Sequence, residues 1–226
     1  MRLILIRHGA TKANIERRFQ GTIDYPLCDA GLKQADYLGK RIEDVYISKI
    51  YTSYLRRAKE TAETIAHYKP ECEIEVLHDL KEYSWGIIEG LTREEISHKY
   101  YELAVQMEKD FWGTEIPGEE GMKSLKNRLA YIYDLITGRH LQGGEKENFG
   151  DKKTESVAIV SHGRVIGGFL AYITGYDIYD FPWPFVFSNA SLTEVKFLYY
   201  NGKIKPRIIL LNDTCHIKDL DKGISY

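Results

Sequence analysis

The sequence predicts a three-layer α/β/α sandwich with a mostly parallel central sheet and an antiparallel C-terminal hairpin. Three observations carry that expectation. Short apolar runs, such as Leu3-Ile4-Leu5-Ile6 and Val157-Ala158-Ile159-Val160, read as buried strands. Segments with apolar residues at helical spacing alternate with them. Near the C-terminus two strand-like stretches flank Asn201-Gly202, a hairpin turn signal. Alternating strands and helices imply a sheet covered on both faces.

The elements follow in order. Residues 2–7 read as a strand, and 10–28 as a polar loop punctuated by Gly21 and Pro26. Leu32, Ala35, Leu38 and Ile42 mark a helix over about 29–44. Residues 49–52 form a second strand. Leu55, Ala58, Ala62, Ile65 and Ala66 mark the helix after it, and 74–77 form a third strand. Thr92 and Glu95 form a capping box that opens one helix to about residue 111. A further helix covers about 122–136. Residues 138–154, rich in Gly, Lys and Glu, read as a mobile surface loop. A strand over 156–160 leads into a helix over 163–174, and strands over 192–199 and 203–211 make the hairpin. Pro206 assigns the last of them to a sheet edge.

With 226 residues, 43% hydrophobic and 28% charged, the chain is expected to form one domain over 1–226. Residues of about 85–120 are expected to form a helical, lid-like insertion. A net charge of -2 gives no nucleic-acid or membrane signature. Three scattered cysteines, Cys28, Cys72 and Cys215, fit a reduced, cytoplasmic protein without a disulfide framework or zinc spacing. The apolar start is too short for a signal peptide or a membrane span. No metal or cofactor is expected. Sheet edges would allow a dimer, but nothing in the sequence specifies one.

Chemistry-bearing residues gather at strand ends. Arg7-His8-Gly9 follows the first strand, and Ser161-His162-Gly163 follows the strand at 156–160. In open α/β sheets the carboxyl edge is where ligands bind. Glycine after each histidine allows a tight turn and a close backbone approach to a ligand oxygen. Gly163 also opens a helix, whose N–H groups favour an anion. The Arg56-Arg57 pair stands at another strand-to-helix turn, where a guanidinium fork suits phosphate oxygens. Glu82, after the third strand, is a candidate acid for a leaving oxygen. A neutral imidazole can attack phosphorus, while arginines and a charged His162 neutralise the phosphoryl oxygens.

With these motifs in view, the chain resembles the histidine phosphatase superfamily, also called phosphoglycerate mutase-like. The similarity runs from Arg2 to about His216. It rests on residues 7–14, Arg18-Phe19-Gln20-Gly21, Asp24-Tyr25-Pro26-Leu27, 53–61, 80–90, 117–128 and Ser161-His162-Gly163. The resemblance implies that His8 is the phosphorylated nucleophile and that Arg7, Arg57 and His162 form the phosphate pocket. Arg57 is chosen over Arg56 because the family's arginine directly precedes Ala. Glu82 would be the proton donor. Thr11, Asn14, Gln20, Gly21 and Gly163 would complete the substrate contacts. Cys28, Tyr54, Glu119 and Gly121 depart from the usual family pattern.

The implied activity is hydrolysis of a small phosphorylated metabolite through a phosphohistidine, without a metal. Two alternatives stand beside it: a cofactor-dependent phosphoglycerate mutase and a non-catalytic phosphate- or phosphoprotein-binding domain. Basic residues between 85 and 120 are sparse and interleaved with glutamates, which favours the phosphatase. His67, His78, His98 and His140 read as surface residues, and His216 receives no role. Most aromatic residues read as core, with Trp85 set apart by its nearness to Glu82. Lys109 and Lys123 read as solvated.

Overall fold

The computed structural model describes residues 1–141, 155–180, 183–200, 203–218 and 220. In chain order it comprises β1 (Arg2–Arg7), α1 (Lys12–Ile15), α2 (Asp29–Arg41), β2 (Lys49–Thr52), α3 (Arg56–Ala66), β3 (Glu73–Val76), α4 (Arg93–Lys99), α5 (Tyr101–Lys109), α6 (Met122–His140), β4 (Ser156–Ser161), α7 (Gly163–Thr174), β5 (Leu192–Tyr200) and β6 (Lys203–Asp213). Single 3-10 turns occur at His78–Leu80, Gly86–Ile88 and Cys215–Ile217.

The described strands form one sheet in the order β3-β2-β4-β1-β5-β6. The first four run parallel, while β5 and β6 are antiparallel. The expected fold class is therefore observed. β1 shows why both faces are covered. Leu3 and Leu5 join the core beneath α6 and α7, with Leu129, Ile132, Ile166 and Phe169. Ile4 and Ile6 point the other way, into Leu38 of α2, Ile42 just past its end, and Ala62 and Ile65 of α3. The period-2 pleat turns one apolar run into two half-cores. β6 is an edge strand, as Pro206 required, and Pro206 pairs opposite Phe197. The Asn201-Gly202 turn lies outside the described residues.

Three expectations need correction. The single helix over 92–111 is two, α4 and α5, broken at Tyr100 (φ -133°, ψ 59°). The Thr92–Glu95 capping box is present. The break lets Ile96 of α4 and Met107 of α5 share one small cluster with Ile88 and Ile116. Next, α6 runs to His140, so residues 138–140 are helical rather than loop; residues 142–154 lie outside the described residues. Side chains hold that last turn. Arg139 pairs with Glu75 at 2.7 Å, and His140 bonds Tyr51 Oη at 2.8 Å and Glu155 at 2.6 Å. His140 is thus half-buried rather than a surface residue. Finally, the loop over 10–28 contains α1, capped by Thr11 with Asn14 at its third position.

The strand-end loop after β1 lies directly on the start of α2. A methyl group at Gly31 would overlap the backbone carbonyl of Ala10, and one at Gly9 would overlap that of Gly31. Gly138, in α6, has open space around it. Gly31→Ala is therefore expected to lower stability by about 1–3 kcal/mol. Gly138→Ala should raise it by roughly 0.5 kcal/mol. Urea unfolding of both variants checks the contrast; equal effects would contradict the close backbone packing.

Candidate active site

Sheet register assembles the site. β4 lies between β1 and β2, all parallel, so their carboxyl ends share one edge. Arg7 pairs with Ser161 across β1 and β4, which sets His8 beside His162. Their ring centroids are 5.1 Å apart. Ser53, whose N–H donates to Val160 O, starts the turn into α3 and so brings Arg57 to the same edge. Leu77, bonded to Thr52, starts the segment that carries Glu82.

His8 is 2% exposed, and its Nδ1 lies 2.7 Å from the Gly9 carbonyl oxygen. A carbonyl can only accept, so Nδ1 carries the hydrogen and Nε2 presents a lone pair. Burial, then the charges of Arg57 and Arg7, hold the His8 pKa well below 6.5. The ring is neutral at physiological pH, as nucleophilic attack requires.

Arg57 is fully buried. Its Nη2 donates to Gly21 O and its Nη1 to Ile23 O, both at 2.8 Å, while Nε donates to His162 Nδ1 at 3.2 Å. That last bond fixes the tautomer of His162. Nδ1 accepts, so Nε2 holds the hydrogen, and Nε2 is buried with no hydrogen-bond partner among the described residues. Burial and the neighbouring cations also hold His162 well below 6.5. The expectation of a charged His162 is corrected: the ring is neutral here and offers an aimed N–H donor. Positive charge comes from the arginines. Burial lowers Arg57 to about 10, against the favourable charges of Glu82, Asp24 and Glu89, so it remains a cation at neutral pH. Arg7 donates through Nη1 to Phe187 O, and its guanidinium lies beside Gly163.

Glu82 stands at the start of α7. Its Oε1 accepts from the Tyr83 N–H at 2.8 Å, and Oε2 lies 3.5 Å from the Arg164 backbone N–H. The segment around it is tied from two sides. Ser161 Oγ donates to Leu80 O at 2.8 Å, and Arg128 donates to the carbonyls of Asp79 and Lys81. Arg128 is itself held by a bidentate pair with Glu120 at 2.6 and 2.8 Å.

The proposed substrate contacts first serve one another. The Thr11 hydroxyl lies 2.9 Å from Gln20 Oε1 and 3.0 Å from Asn14 Oδ1. The one hydroxyl hydrogen can serve Gln20 Oε1 while the Thr11 N–H donates to Asn14 Oδ1 at 3.1 Å, which leaves the amide N–H groups of Asn14 and Gln20 for a ligand. Gly21 has φ +50°, and a side chain there would overlap Glu89. Glu89 bonds both Thr22 and Trp85, so it fastens the 18–22 loop to the 84–90 loop. Arg56 makes an exposed pair with Glu60 at 3.1 Å.

Sequence reading missed several supports. Asn189 Nδ2 donates to the His8 and Gly9 carbonyls at 3.1 and 3.4 Å. It thereby steadies the oxygen that orients the His8 ring. Thr61 Oγ1 accepts from the Gly9 N–H at 3.1 Å. His216 Nε2 bonds Ala190 O at 3.0 Å and ties down the turn that carries Asn189. None of these carries a local motif; the approach of distant segments makes each contact. Among the described residues no group of three His, Cys, Asp or Glu side chains could hold a metal ion, and no helix is long and apolar enough to cross a membrane.

A family model described as the histidine phosphatase superfamily (branch 1) matches residues 3–214. Phosphoglycerate mutase-like protein 4 of Arabidopsis thaliana is 34% identical over 165 residues, covering 73% of this chain and 67% of that protein. Phosphoserine phosphatase 1 of Hydrogenobacter thermophilus is 28% identical over 219 residues, covering 96% and 94%. Among solved structures, Bacillus stearothermophilus YhfR superposes with a TM-score of 0.79 at 29% identity, covering 96% of this chain and 99% of that one.

The two buried histidines set a pH dependence. Their folded pKa values lie below the ordinary 6.5, so between those values and 6.5 the unfolded chain binds more protons. Their contribution to stability is complete above 6.5 and is lost as pH falls below it. The urea midpoint should therefore drop between pH 7 and pH 5.5, and His162→Asn should flatten the drop. An unchanged slope in that variant would show that His162 is not held neutral in the fold.

Proposed function

The chain belongs to the histidine phosphatase superfamily, and on that premise we propose that it is a metal-independent phosphomonoesterase acting through a phosphohistidine. The observation that carries this reading is the His8 tautomer. With Nδ1 committed to the Gly9 carbonyl, the Nε2 lone pair is the group left to attack.

In the proposed reaction Nε2 of His8 attacks phosphorus in line, the N–P bond forms and the ester P–O bond breaks. Glu82 gives its proton to the departing alkoxide. Arg7 and Arg57 neutralise the phosphoryl oxygens, and the His162 N–H donates to one of them. Water then attacks the phosphohistidine, Glu82 takes its proton, and the N–P bond breaks to release phosphate and restore His8. The arginines supply the charge compensation that a metal supplies elsewhere. A small phosphorylated metabolite is the proposed substrate class, in keeping with a relative named phosphoserine phosphatase.

Several relatives bear phosphoglycerate mutase names, which gives the mutase reading its support. A mutase needs fixed cations to retain a bisphosphorylated intermediate. Between 85 and 120 the cations are Arg93, Lys99 and Lys109. Arg93 lies over Phe19 and Phe111, and Lys99 over Tyr100. Those contacts favour hydrolysis.

Rapid quenching after mixing with substrate is expected to trap an acid-labile, base-stable phosphate on His8. His8→Ala should lower kcat/KM for p-nitrophenyl phosphate by about 10³-fold or more; wild-type turnover in that variant would remove His8 as nucleophile. Glu82→Gln should slow alkyl phosphates by roughly 10²-fold and nitrophenyl phosphate far less. Equal losses on both would make Glu82 structural. An enolase-coupled assay with 3-phosphoglycerate and trace 2,3-bisphosphoglycerate should stay silent, and robust signal would establish the mutase reading instead.

A further inference from the structure

The buried face of α6 is apolar except at one position. Leu125, Leu129, Ile132 and Ile136 pack into the core, and Arg128 lies among them with 8% of its side chain exposed. Its partner Glu120, just before α6, is 5% exposed. An ion pair removed from water in this way is a poor source of stability, because apolar side chains of similar volume avoid the desolvation cost. Apolar side chains cannot donate hydrogen bonds, however, and the donors of Arg128 are all directed. Nε and Nη2 grip the two Glu120 oxygens at 2.6 and 2.8 Å, which aims Nη1 at the backbone that carries Glu82.

That backbone has left the sheet. The Leu77 N–H donates to Thr52 O, and one 3-10 turn follows at His78–Leu80. The carbonyls of Asp79, Leu80, Lys81 and Ser84 must then find partners outside a strand or helix. Arg128 Nη1 donates to Asp79 O and, at 3.0 Å, to Lys81 O. The Glu120 N–H donates to Ser84 O at 3.0 Å, and Ser161 Oγ donates to Leu80 O. Glu82 sits between these anchors. Its carboxylate meets backbone N–H groups, that of Tyr83 at 2.8 Å and that of Arg164 at 3.5 Å. The nearer of the two belongs to its own segment, so the carboxylate goes where residues 79–84 go.

We propose that Arg128, oriented by Glu120, is the positioning residue for the acid: it holds residues 79–84 where Glu82 meets the leaving oxygen. It acts through the carbonyls of Asp79 and Lys81 rather than on the phosphoryl group. The inference rests on the phosphatase reading and deepens it, because proton transfer to the leaving group then depends on a buried pair outside the pocket. Proton transfer requires the acid within hydrogen-bond reach of the oxygen it serves. A misplacement of about 1 Å caused from outside the reacting groups can cost ~10²-fold in rate.

The test uses two esters of similar shape, p-nitrophenyl phosphate and phenyl phosphate. Nitrophenolate leaves without a proton, whereas the more basic phenolate gains from one. The readout is the ratio of their kcat/KM values, which a smaller folded fraction does not change. Arg128→Met should raise that ratio in favour of the nitrophenyl ester by about 10-fold. Arg128→Lys should raise it less, because a point charge keeps part of what the fork holds. The decisive variant is the double one. If Arg128 acts through Glu82, adding Arg128→Met to Glu82→Gln should leave the ratio where Glu82→Gln alone puts it. An unchanged ratio in Arg128→Met, or a further rise in the double variant, overturns the proposal. Should Arg128→Met not fold, Glu120→Gln decides by the same two criteria, with a rise of roughly 3-fold expected from the weakened grip on the guanidinium. Failure of the underlying reading is separately visible. A wild-type chain that releases no phosphate from either ester removes the phosphatase, and a Glu82→Gln variant with an unchanged ratio removes the acid; the proposal falls with either.

Discussion

A guanidinium with no surface in water organises the catalytic end of this sheet. Burying a cation is costly unless polar groups replace its hydration. Arg57 finds them in the carbonyls of Gly21 and Ile23 and in the ring nitrogen of His162. Each bond constrains something else. The two carbonyls draw the 18–24 loop over the strand ends. The bond to His162 selects that ring's tautomer and leaves its remaining N–H buried without a partner among the described residues. Glu82, Asp24 and Glu89 favour the charge without contacting it in the described hydrogen bonds. The result is a cation whose unused N–H groups and positive field suit a phosphoryl group.

The two histidines gain opposite roles from the same burial. Both are held neutral, but their neighbours differ. His8 Nδ1 faces a carbonyl and must donate, so its other nitrogen keeps the lone pair that the proposed nucleophile needs. His162 Nδ1 faces an arginine and must accept, so its other nitrogen is a donor. Neither role requires a charged ring. One backbone oxygen and one guanidinium divide the labour between two residues of the same type at equivalent strand ends.

The sheet and the histidine pocket were legible in the sequence because local pattern encodes them. Leu3 to Ile6 and Val157 to Val160 announce buried strands, and a His-Gly after each announces the same edge. Tyr100 was illegible, because the helical break there serves a cluster built from Ile88 and Ile116, which are distant in sequence. The last turn of α6 was illegible for a similar reason: its anchors are Tyr51, Glu75 and Glu155. Gly9 was read as clearance for a ligand oxygen, whereas its nearest constraint is the backbone of Gly31. Asn189 and Glu89 carry no motif at all. Their work is to fasten one strand-end loop to another, a property of the assembled edge rather than of any segment.

The two sides of the site are built from different materials. On the phosphate side every group is tied to backbone or to another pocket side chain: Arg7 to Phe187 O, Arg57 to two carbonyls, His8 to Gly9 O. A side-chain change there moves charge and tautomer together, so chemistry is lost as a unit. On the leaving-group side the wall is a set of ring contacts, with Trp85 5.4 Å from Phe19 and 5.8 Å from Phe111. Ring packing tolerates reshaping better than a buried polar network does, because a displaced ring strands no hydrogen bond. Substrate choice can therefore change along that wall while the Arg57–His162 bond and the His8 tautomer stay as they are.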